Sequence, residues 1–172
     1  MIKIIITGTP ASGKTAVTKI ICKNFNFFYL DGNSIIKKYS LSEGYDRKRK
    51  TKVVDVTKLN KKLINEIRLF EKKNTKHKGL VIDSHLSHYL PKKYVDLCIV
   101  TKCSLKELEK RMKKRKYNKG KIRENLDAEI FDICLVEALE NGHNVVVLDT
   151  TKNINKRTIF RQIGDLIGIK KS

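Results

Sequence analysis

Residues 2–15, which read IKIIITGTPASGKT, constrain the fold of this 172-residue chain more than any other stretch. An isoleucine-rich run leads directly into Gly8-Thr9-Pro10-Ala11-Ser12-Gly13-Lys14-Thr15, which fits the pattern G-x-x-x-x-G-K-[ST]. From Ala16 to Asn24 the apolar residues then recur at helical spacing. A strand, a glycine-containing loop and a helix in this order predict a phosphate-binding loop, and they disfavour a turn that holds a lysine by chance.

Each residue type in this loop has a physical reason. A loop that wraps a polyphosphate must point several backbone N–H groups inward, and glycine permits the tight curvature. The helix that begins near Gly13 adds free N–H groups and the positive end of its dipole. Lys14 can reach the β- and γ-phosphates, and the hydroxyl of Thr15 is placed to ligate Mg²⁺. The sequence therefore predicts that the chain binds a nucleoside triphosphate together with magnesium.

A second part of the same site is predicted at the end of the apolar segment 79–83. This segment reads as a strand that ends in Asp83. An acid in that position, downstream of a phosphate-binding loop, holds Mg²⁺ directly or through water in the usual nucleoside triphosphatase site. A helix-capping role is the alternative for an aspartate that follows a strand.

The other apolar segments alternate between strands and helices. Short apolar runs predict strands at 2–7, 27–30, 79–83, 94–100 and 144–148. Helical spacing predicts helices over 16–24, from about 35, over 55–71, from 104, over 119–141 and over 154–167. This alternation predicts an α/β fold of the P-loop NTPase type, a three-layer sandwich with a five-stranded parallel sheet, helices on both faces and the ligand at the carboxyl edge of the strands.

Two segments carry more specific expectations. Residues 40–54 have little periodicity, so we interpret them as a mobile insertion. In the long helix predicted over 119–141, the residues expected to face inward are Ile122, Ile130, Ile133, Cys134, Val136 and Leu139.

Composition is that of one globular domain over 1–172, with an unusual charge. Lys and Arg total 38 against 18 Asp and Glu, which gives a net charge of +20. A lysine-rich composition around a site for polyanions accounts for this charge, and so does contact with RNA or a ribonucleoprotein. No apolar run has the roughly 20 residues that cross a bilayer, no signal peptide precedes the first strand, and the four cysteines lack C-x-x-C spacing. These features predict a cytoplasmic protein with reduced thiols and no membrane partner.

The missing motifs narrow the class of nucleotide-binding protein. The guanine-reading N-K-x-D is absent, because Asn155-Lys156 is followed by Arg157-Thr158. Helicases and transporter ATPases are longer and carry further motifs. A chain of this size, with its phosphate-binding loop almost at residue 1, indicates a nucleotide or metabolite kinase.

Several local patterns resemble one family in collinear order from the first strand to about Ala138. The chain is similar to the archaeal and eukaryotic nuclear adenylate kinases, often called adenylate kinase isoenzyme 6. The D-x-H at the end of the third predicted strand is the most discriminating pattern, because ordinary adenylate kinases lack it. The patterns are GTPASGKT, Gly44-Tyr45-Asp46, Asp83-Ser84-His85, Arg111-x-x-x-Arg115-x-Tyr117-Asn118 and Lys121-x-x-x-Asn125-x-x-x-Glu129-Ile130-Phe131.

The resemblance implies an architecture, an activity and partners. It implies a core of five parallel strands, a short AMP-binding insertion at about 31–54 and a short lid at about 114–124. Family members transfer a phosphoryl group from ATP to AMP, show ATPase activity and help to mature the small ribosomal subunit. They do so by engaging a ribosomal protein of the platform, and rRNA or a pre-ribosome is a further possible partner.

The resemblance also assigns roles by position. It implies ATP contacts by the loop residues and Arg115, AMP contacts by a few residues of the insertion, and a D-x-H motif formed by Asp83 and His85. With Mg²⁺ held at Thr15 and Asp83, the expected catalytic residues are Lys14, Asp83, His85 and Arg115. The expected ATP contacts are Ala11, Gly13, Lys14, Thr15, Ala16 and Arg115, and the expected AMP contacts are Lys37, Tyr45 and Asp46.

Two of these positions depart from the family. Ala11 stands where relatives often have glycine, a minor change if the backbone there keeps a negative φ. Lys37 stands where relatives carry an arginine, and lysine cannot form the planar bidentate pair, so we expect weaker AMP binding or a share for Lys38.

The other polar residues receive more modest expectations. His85 either caps the turn after its strand or orients a water at the γ-phosphate. Glu129 receives no catalytic role, because it could equally pair with a basic residue of the lid or core, and Arg111 is expected to serve as a second guanidinium at the phosphates. His77, His88 and His143 have no metal-ligand spacing and are expected at the surface.

Three functions remain open at this point. The first is a nucleoside monophosphate kinase, with hydrolysis of ATP competing because the lid is short. The second is an ATP-driven switch in ribosome assembly in which AMP phosphorylation is secondary. The third is another small-metabolite kinase, acting for example on shikimate or dephospho-coenzyme A, which the D-x-H and the Arg111 to Asn118 pattern disfavour.

Overall fold

Five parallel strands form the central sheet of the computed structural model, which describes residues 1–46, 51–73 and 76–168. In sequence order the strands of this sheet are β1 (Ile2–Thr7), β2 (Phe27–Asp31), β5 (Gly79–Asp83), β6 (Leu97–Lys102) and β7 (Val145–Asp149). Their spatial order is β2-β5-β1-β6-β7, so β1 lies in the centre. The predicted parallel α/β fold is confirmed.

Seven α-helices and a hairpin accompany this sheet in the described part of the chain. The helices are α1 (Lys14–Phe25), α2 (Gly32–Lys38), α3 (Val56–Lys73), α4 (Leu105–Lys114), α5 (Lys119–Ile130), α6 (Ile133–Glu140) and α7 (Lys156–Ile163). Short 3₁₀ turns lie at Ser87–Tyr89, Lys92–Tyr94 and Asp165–Ile167. None of the helices described is both long enough and apolar enough to cross a membrane.

Alternate residues of β1 point to opposite faces of the sheet and nucleate two cores. Ile5 packs with Leu59, Leu63 and other residues of the face that α2, α3 and α6 cover. Ile4 and Ile6 belong to a second cluster, on the face that α1 and α7 cover. Helices therefore lie on both faces of the sheet, as the sequence predicts.

The pairing of the strands determines where the site forms. The parallel register of β1 and β5 places Ile6 opposite Asp83. Because parallel strands end at one edge, the segment that follows Thr7 and the carboxylate of Asp83 emerge side by side.

The insertion predicted over 40–54 contains regular secondary structure, which its lack of periodicity did not predict, while its mobility stays a prediction. Strands β3 (Ser42–Asp46) and β4 (Thr51–Val54) pair as an antiparallel hairpin with an irregularity between Ser42 and Gly44. Hairpin pairing is stabilised across two strands, and the irregular register conceals the period-two pattern that a sequence search uses. Residues 47–50 lie outside the described residues.

The single long helix predicted over 119–141 is wrong, because it is two helices. Asp132 adopts the left-handed region, with φ of 54°, and separates α5 from α6. Aspartate tolerates this conformation better than most residues, which makes the break cheap. The break turns four of the six residues expected inside toward solvent; these are Ile130, Ile133, Val136 and Leu139.

Two histidines expected at the surface are buried. His88 Nε2 donates to Glu137 at 2.8 Å, and its Nδ1 accepts from the Thr7 hydroxyl at 2.7 Å. His143 Nε2 donates to the carbonyl oxygen of His88 at 2.9 Å. Burial lowers the pKa of His88 although Glu137 opposes the shift, so the imidazole is neutral. These polar partners are distant in sequence, which is why spacing alone placed both rings wrongly.

We predict that Gly79→Ala destabilises the fold by about 1–3 kcal/mol, as expected for overpacking of a tight site. A methyl group there would collide with the carbonyl oxygen of Ile2 and lie 2.6 Å from the ring of Phe27. The matched control is Gly44→Ala, where an added Cβ meets no atom within 4 Å. Urea denaturation gives the free energy of unfolding of both variants. Equal stabilities would contradict the packing described here.

Candidate active site

The segment between β1 and α1 curls into a loop through three residues with positive φ. Gly8, Ala11 and Gly13 have φ of 135°, 72° and 99°. A Cβ at Gly8 would collide with the carbonyl oxygen of Thr101, and one at Gly13 would lie 3.0 Å from Thr150. Glycine is therefore required at both positions, for conformation and for space.

Ala11 has a positive φ, so the condition under which its replacement of glycine would be minor is not met. The left-handed conformation costs an L-residue about 1–2 kcal/mol. Its side chain is buried in a small apolar cluster, and burial of a methyl group contributes about 0.8 kcal/mol. Packing of the Ala11 methyl group therefore partly offsets the cost of its conformation. The other buried members of the cluster are Cys103, Leu108, Met112 and Ile122.

The ammonium group of Lys14 lies inside the curl of the loop. Its Nζ donates to the carbonyl oxygens of Gly8 at 2.8 Å and Thr9 at 3.0 Å. Burial lowers the pKa of Lys14 to about 8, and the carboxylate of Asp83 opposes this shift. Lys14 is therefore mostly cationic at pH 7, within a site that favours binding of an anion.

Thr15 and Asp83 meet as the sequence predicts. The Thr15 hydroxyl donates to Asp83 Oδ2 at 2.6 Å, and the hydroxyl of Tyr29 donates to the same oxygen at 3.2 Å. Burial first, and then the negative charge of Asp83, raise the pKa of Tyr29, so the phenol stays protonated. Tyr29 was not predicted, because a tyrosine in a buried-type strand carries no signal of a polar role. A hydroxyl and a carboxylate side by side form the hard oxygen donor set that Mg²⁺ prefers.

These groups line one cavity of about 500 Å³. The lining includes all the expected ATP-binding residues, together with Asp83, Ser84 and His85. Residues from the end of α4 and from α5 also line the cavity; they are Arg115, Tyr117, Lys121, Glu124 and Asn125. The sequence pattern included Tyr117, Lys121 and Asn125 but assigned them no role. Lys121 Nζ lies 4.3 Å from the centre of the Tyr117 ring, a cation–π contact that keeps the cation at the cavity.

His85 presents a neutral imidazole to this cavity. Confinement by the cavity walls, and then the positive charge of Lys14, lower its pKa to about 4. More than a third of the residue is accessible to solvent, which moderates the shift but leaves its direction. Its ring makes no hydrogen bond to any residue within the described ranges, so the structure gives no support to a capping role.

Lys37 is the one residue expected to bind AMP whose side chain is described, and it does not line the cavity. Lys37 is exposed near the end of α2, and Asn33 of the same helix lines the cavity instead. Tyr45 and Asp46 belong to β3, but their side chains lie outside the described residues. Lys38, the lysine that was expected to share in binding the AMP phosphate, instead donates a hydrogen bond to Glu66 at 2.7 Å.

Glu129 and Arg111 support the loop from behind. Glu129 is buried and accepts from the Thr9 hydroxyl at 2.5 Å and from the N–H of Cys103 at 2.9 Å, so its hydrogen-bond partners are not basic residues. Arg111 donates to the carbonyl oxygen of Thr150 at 2.7 Å and does not line the cavity. Its expected place at the phosphates is therefore not supported.

Solved structures share this architecture at low sequence identity. A sugar kinase from Janibacter matches 95% of this chain and 93% of its own, with a TM-score of 0.61 and 14% identity. A deoxyadenosine kinase from M. mycoides with bound dATP matches 95% of this chain and 100% of its own, with a TM-score of 0.57 and 16% identity. These likenesses establish the fold alone.

Sequence relatives are more similar. A sequence model described as an AAA domain matches residues 4–132. Proteins named "Putative adenylate kinase" are 33% identical in Pyrococcus abyssi, over 98% of this chain and 84% of the relative, and 35% identical in Methanocaldococcus jannaschii, over 98% and 88%. The adenylate kinase isoenzyme 6 homolog of Dictyostelium discoideum is 34% identical over 85% of this chain and 79% of its own. The chain therefore belongs to the archaeal and eukaryotic family of adenylate kinase isoenzyme 6.

Proposed function

We propose that the protein is an adenylate kinase, which transfers the γ-phosphoryl group of ATP to AMP and forms two molecules of ADP. The observation that carries the proposal is the convergence of Lys14, the Thr15–Asp83 pair and Arg115 on one cavity beside the phosphate-binding loop. The names of the relatives support adenylate as the nucleotide. The AMP site over 31–54, with Lys37, Tyr45 and Asp46, and the lid over 114–124 are parts of the same proposal.

Phosphoryl transfer asks the protein mainly for alignment and charge neutralisation. The loop N–H groups and Lys14 would hold the phosphates of ATP, and Arg115, which lines the same cavity, would add a second positive charge to them. The phosphate of AMP is already an anionic nucleophile, so the transfer needs no general base. Ala11, Gly13 and Ala16 would contribute backbone contacts to ATP.

Thr15 and Asp83 fit a magnesium ion. They supply two adjacent oxygen donors, one of them an anion held in place by Tyr29. When bound, Mg²⁺ neutralises charge on the β- and γ-phosphates. The role of Thr15 and Asp83 would be to hold the positive charge of the ion at one end of the cavity.

A second function, ATP hydrolysis that drives ribosome assembly, is favoured by two observations. His85 offers a neutral imidazole in the cavity, which can orient a water molecule. The net charge of +20 suits a protein that works beside RNA in the cytoplasm. In this proposal a platform ribosomal protein or a pre-ribosome is the partner.

The decisive experiment measures ADP formed from Mg-ATP with and without AMP. We expect strong stimulation by AMP and two ADP formed per ATP consumed. Asp83→Asn removes a charge without changing shape, and we expect it to lower the rate about 10²-fold. If ATP hydrolysis is independent of AMP and is lost in Asp83→Asn, the result would contradict the kinase proposal and support the ATPase switch.

His85→Ala separates hydrolysis from transfer. We expect it to lower AMP-independent hydrolysis about 10²-fold, because a residue that orients the attacking water is lost. Transfer to AMP, which needs no such residue, should change less than about twofold, a difference that steady-state rates resolve. Equal loss of both activities would remove the assignment.

The lowered pKa of His85 allows us to predict how the rate of ATP hydrolysis depends on pH. Because the pKa of His85 lies below its usual value, the ring stays neutral to lower pH, and hydrolysis at pH 5.5 should keep more than half of its rate at pH 7.5. An unperturbed histidine, with a pKa near 6.5, would lose about nine-tenths of its neutral form at pH 5.5. An acid limb centred near pH 6.5 that is absent in His85→Asn would contradict the prediction.

Lys14 predicts the pH dependence of ATP binding. In the free protein, a pKa of about 8 leaves the side chain of Lys14 mostly cationic below pH 8 and mostly neutral above it, and only its ammonium form attracts phosphate. The Kd for Mg-ATP should therefore rise up to about tenfold between pH 8 and 9. Lys14→Arg stays charged, so its Kd, measured by calorimetry, should not vary over this range. Parallel curves for both proteins would refute the role of Lys14.

A further inference from the structure

Transfer of a phosphoryl group from ATP to AMP requires positive charge at two places, the phosphates of ATP and the single phosphate of AMP. Among the described residues that line the cavity, three have cationic side chains, namely Lys14, Arg115 and Lys121. Lys14 and Arg115 are the two that are expected at the phosphates of ATP. Lys121 is the cation of this lining to which the proposed function gives no role.

The other basic side chains considered for the phosphates lie elsewhere. Lys37 is exposed and does not line the cavity. Lys38 forms an ion pair with Glu66 at 2.7 Å. Arg111 donates to the carbonyl oxygen of Thr150 at 2.7 Å. A phosphate that leaves water needs a charged partner in the protein, and these three cations do not offer one in the cavity.

A tight turn between α4 and α5 brings Lys121 to the cavity. Lys116 is left-handed, with φ of 57°, and the N–H of Tyr117 donates to the carbonyl oxygen of Met112 at 3.2 Å. This arrangement is the Schellman motif, which ends a helix and reverses the chain. Asn118 then caps α5 by accepting from the N–H of Lys121 at 2.8 Å. The backbone of Lys121 is therefore fixed on both sides of the turn.

The ring of Tyr117 holds the ammonium group of Lys121. Nζ lies 4.3 Å from the centre of the ring, and the ring itself packs against the apolar cluster that contains Met112. In contrast to Lys38, Lys121 forms no ion pair with any carboxylate in the described part of the chain. A cation–π contact restricts the side chain but does not neutralise its charge. The ammonium group is thus held in place and can still bind an anion.

The cavity has two halves, because its lining comes from the ends of different strands. The phosphate-binding loop follows β1, whereas Asn33 follows β2, which lies on the other side of β5. A Cβ at Gly32 would lie 2.6 Å from that of Ser84, so α2 begins directly beside the turn that carries His85. ATP would occupy the half beside the loop, which leaves the half beside Asn33 and His85 for AMP.

The positive charge of Lys121 acts in this second half. Confinement first, then the charge of Lys14 and, among the smaller causes, the charge of Lys121 lower the pKa of His85. Because the interaction of two charges weakens with distance, the ammonium group of Lys121 must lie near the imidazole. A phosphate bound between Asn33 and His85 would therefore have Lys121 within reach.

We propose that Lys121 binds the phosphate of AMP and that Tyr117 positions it for this contact. The inference rests on the proposed adenylate kinase function and names the residue that the acceptor phosphate contacts. A charge-assisted hydrogen bond from the ammonium group would hold one oxygen of AMP and leave another free to attack the γ-phosphate.

The test measures AMP binding by calorimetry, in the full chain saturated with a non-hydrolysable analogue of ATP, together with steady-state kinetics. Lys121→Met removes the charge and keeps an unbranched side chain. We expect its Kd and KM for AMP to rise about tenfold or more, as for the loss of a hydrogen bond to a charged group. Any rise in the KM for Mg-ATP should be at least about fivefold smaller. Lys121→Arg keeps the charge and should restore the Kd for AMP to within about threefold of the wild type.

Two further positions supply the controls. Lys119→Met removes the same charge from the same turn of α5, but Lys119 is exposed and does not line the cavity. Its Kd for AMP should stay within about twofold of the wild type, because solvent screens an exposed charge. Tyr117→Leu removes the aromatic face and should raise the Kd for AMP about threefold, whereas Tyr117→Phe keeps the face and should not. Circular dichroism and binding of the ATP analogue establish that every variant is folded.

Three results overturn the assignment while AMP still stimulates ADP formation, so the kinase function would stand. The first is an unchanged Kd for AMP in Lys121→Met. The second is an equal rise in the KM for Mg-ATP, which would place Lys121 at the donor. The third is a larger effect of Lys37→Met than of Lys121→Met, which would place the AMP phosphate at α2. A wild-type protein that neither binds AMP nor is stimulated by it would instead remove the kinase function, and this inference with it.

Discussion

The parallel pairing of β1 with β5 is the contact on which the rest of the structure depends. It sets Ile6 opposite Asp83, so the loop that leaves β1 passes beside the only acid at the end of β5. Both strands are almost wholly buried, and each buried side chain of this size contributes about 1.5–3 kcal/mol. This burial holds a loop that would not adopt three positive-φ residues by itself.

Polar side chains behind the loop complete what the strands begin. Glu129 holds Thr9, and His88 together with Glu137 holds Thr7. Thr150 donates to the carbonyl oxygen of Ser12 at 2.5 Å and is itself held by Arg111. A buried polar group without its partner costs about 1–3 kcal/mol, so these contacts form together with the fold. The consequence is a loop that is organised before any anion arrives, which is what electrostatic stabilisation of phosphoryl transfer requires.

The sequence was sufficient where a structural feature depends on adjacent residues and insufficient where it depends on distant ones. The strand, loop and helix around Lys14 follow from local spacing, and the meeting of Thr15 with Asp83 follows from the geometry of parallel strands. The burial of His88 depends on Glu137, 49 residues away, and no spacing reveals that. The positive φ of Ala11 accompanies its packing against distant residues of α4 and α5, and the local preference of alanine does not predict it.

The error in α6 has a different cause. A prediction from hydrophobic periodicity assumes that every apolar stripe of a helix faces the core. It therefore cannot predict apolar residues that remain exposed. Once Asp132 breaks the helix, the core is satisfied by Cys134, Leu135 and Ala138. The remaining apolar residues are then free to serve another purpose.

Helix α5 connects the cavity to the exposed apolar residues at the start of α6. Its first turn has Lys119 and Lys121 and no acidic residue, although cations are unfavourable at a helix N-terminus by about 0.3–1 kcal/mol each. The same end lines the cavity, so a local cost to the helix increases the positive potential there. Its last turn carries Glu129, which holds the phosphate-binding loop, and Ile130, which opens the apolar surface. An anion in the cavity would compensate the cations of the first turn and thereby stabilise the helix on which that surface is built.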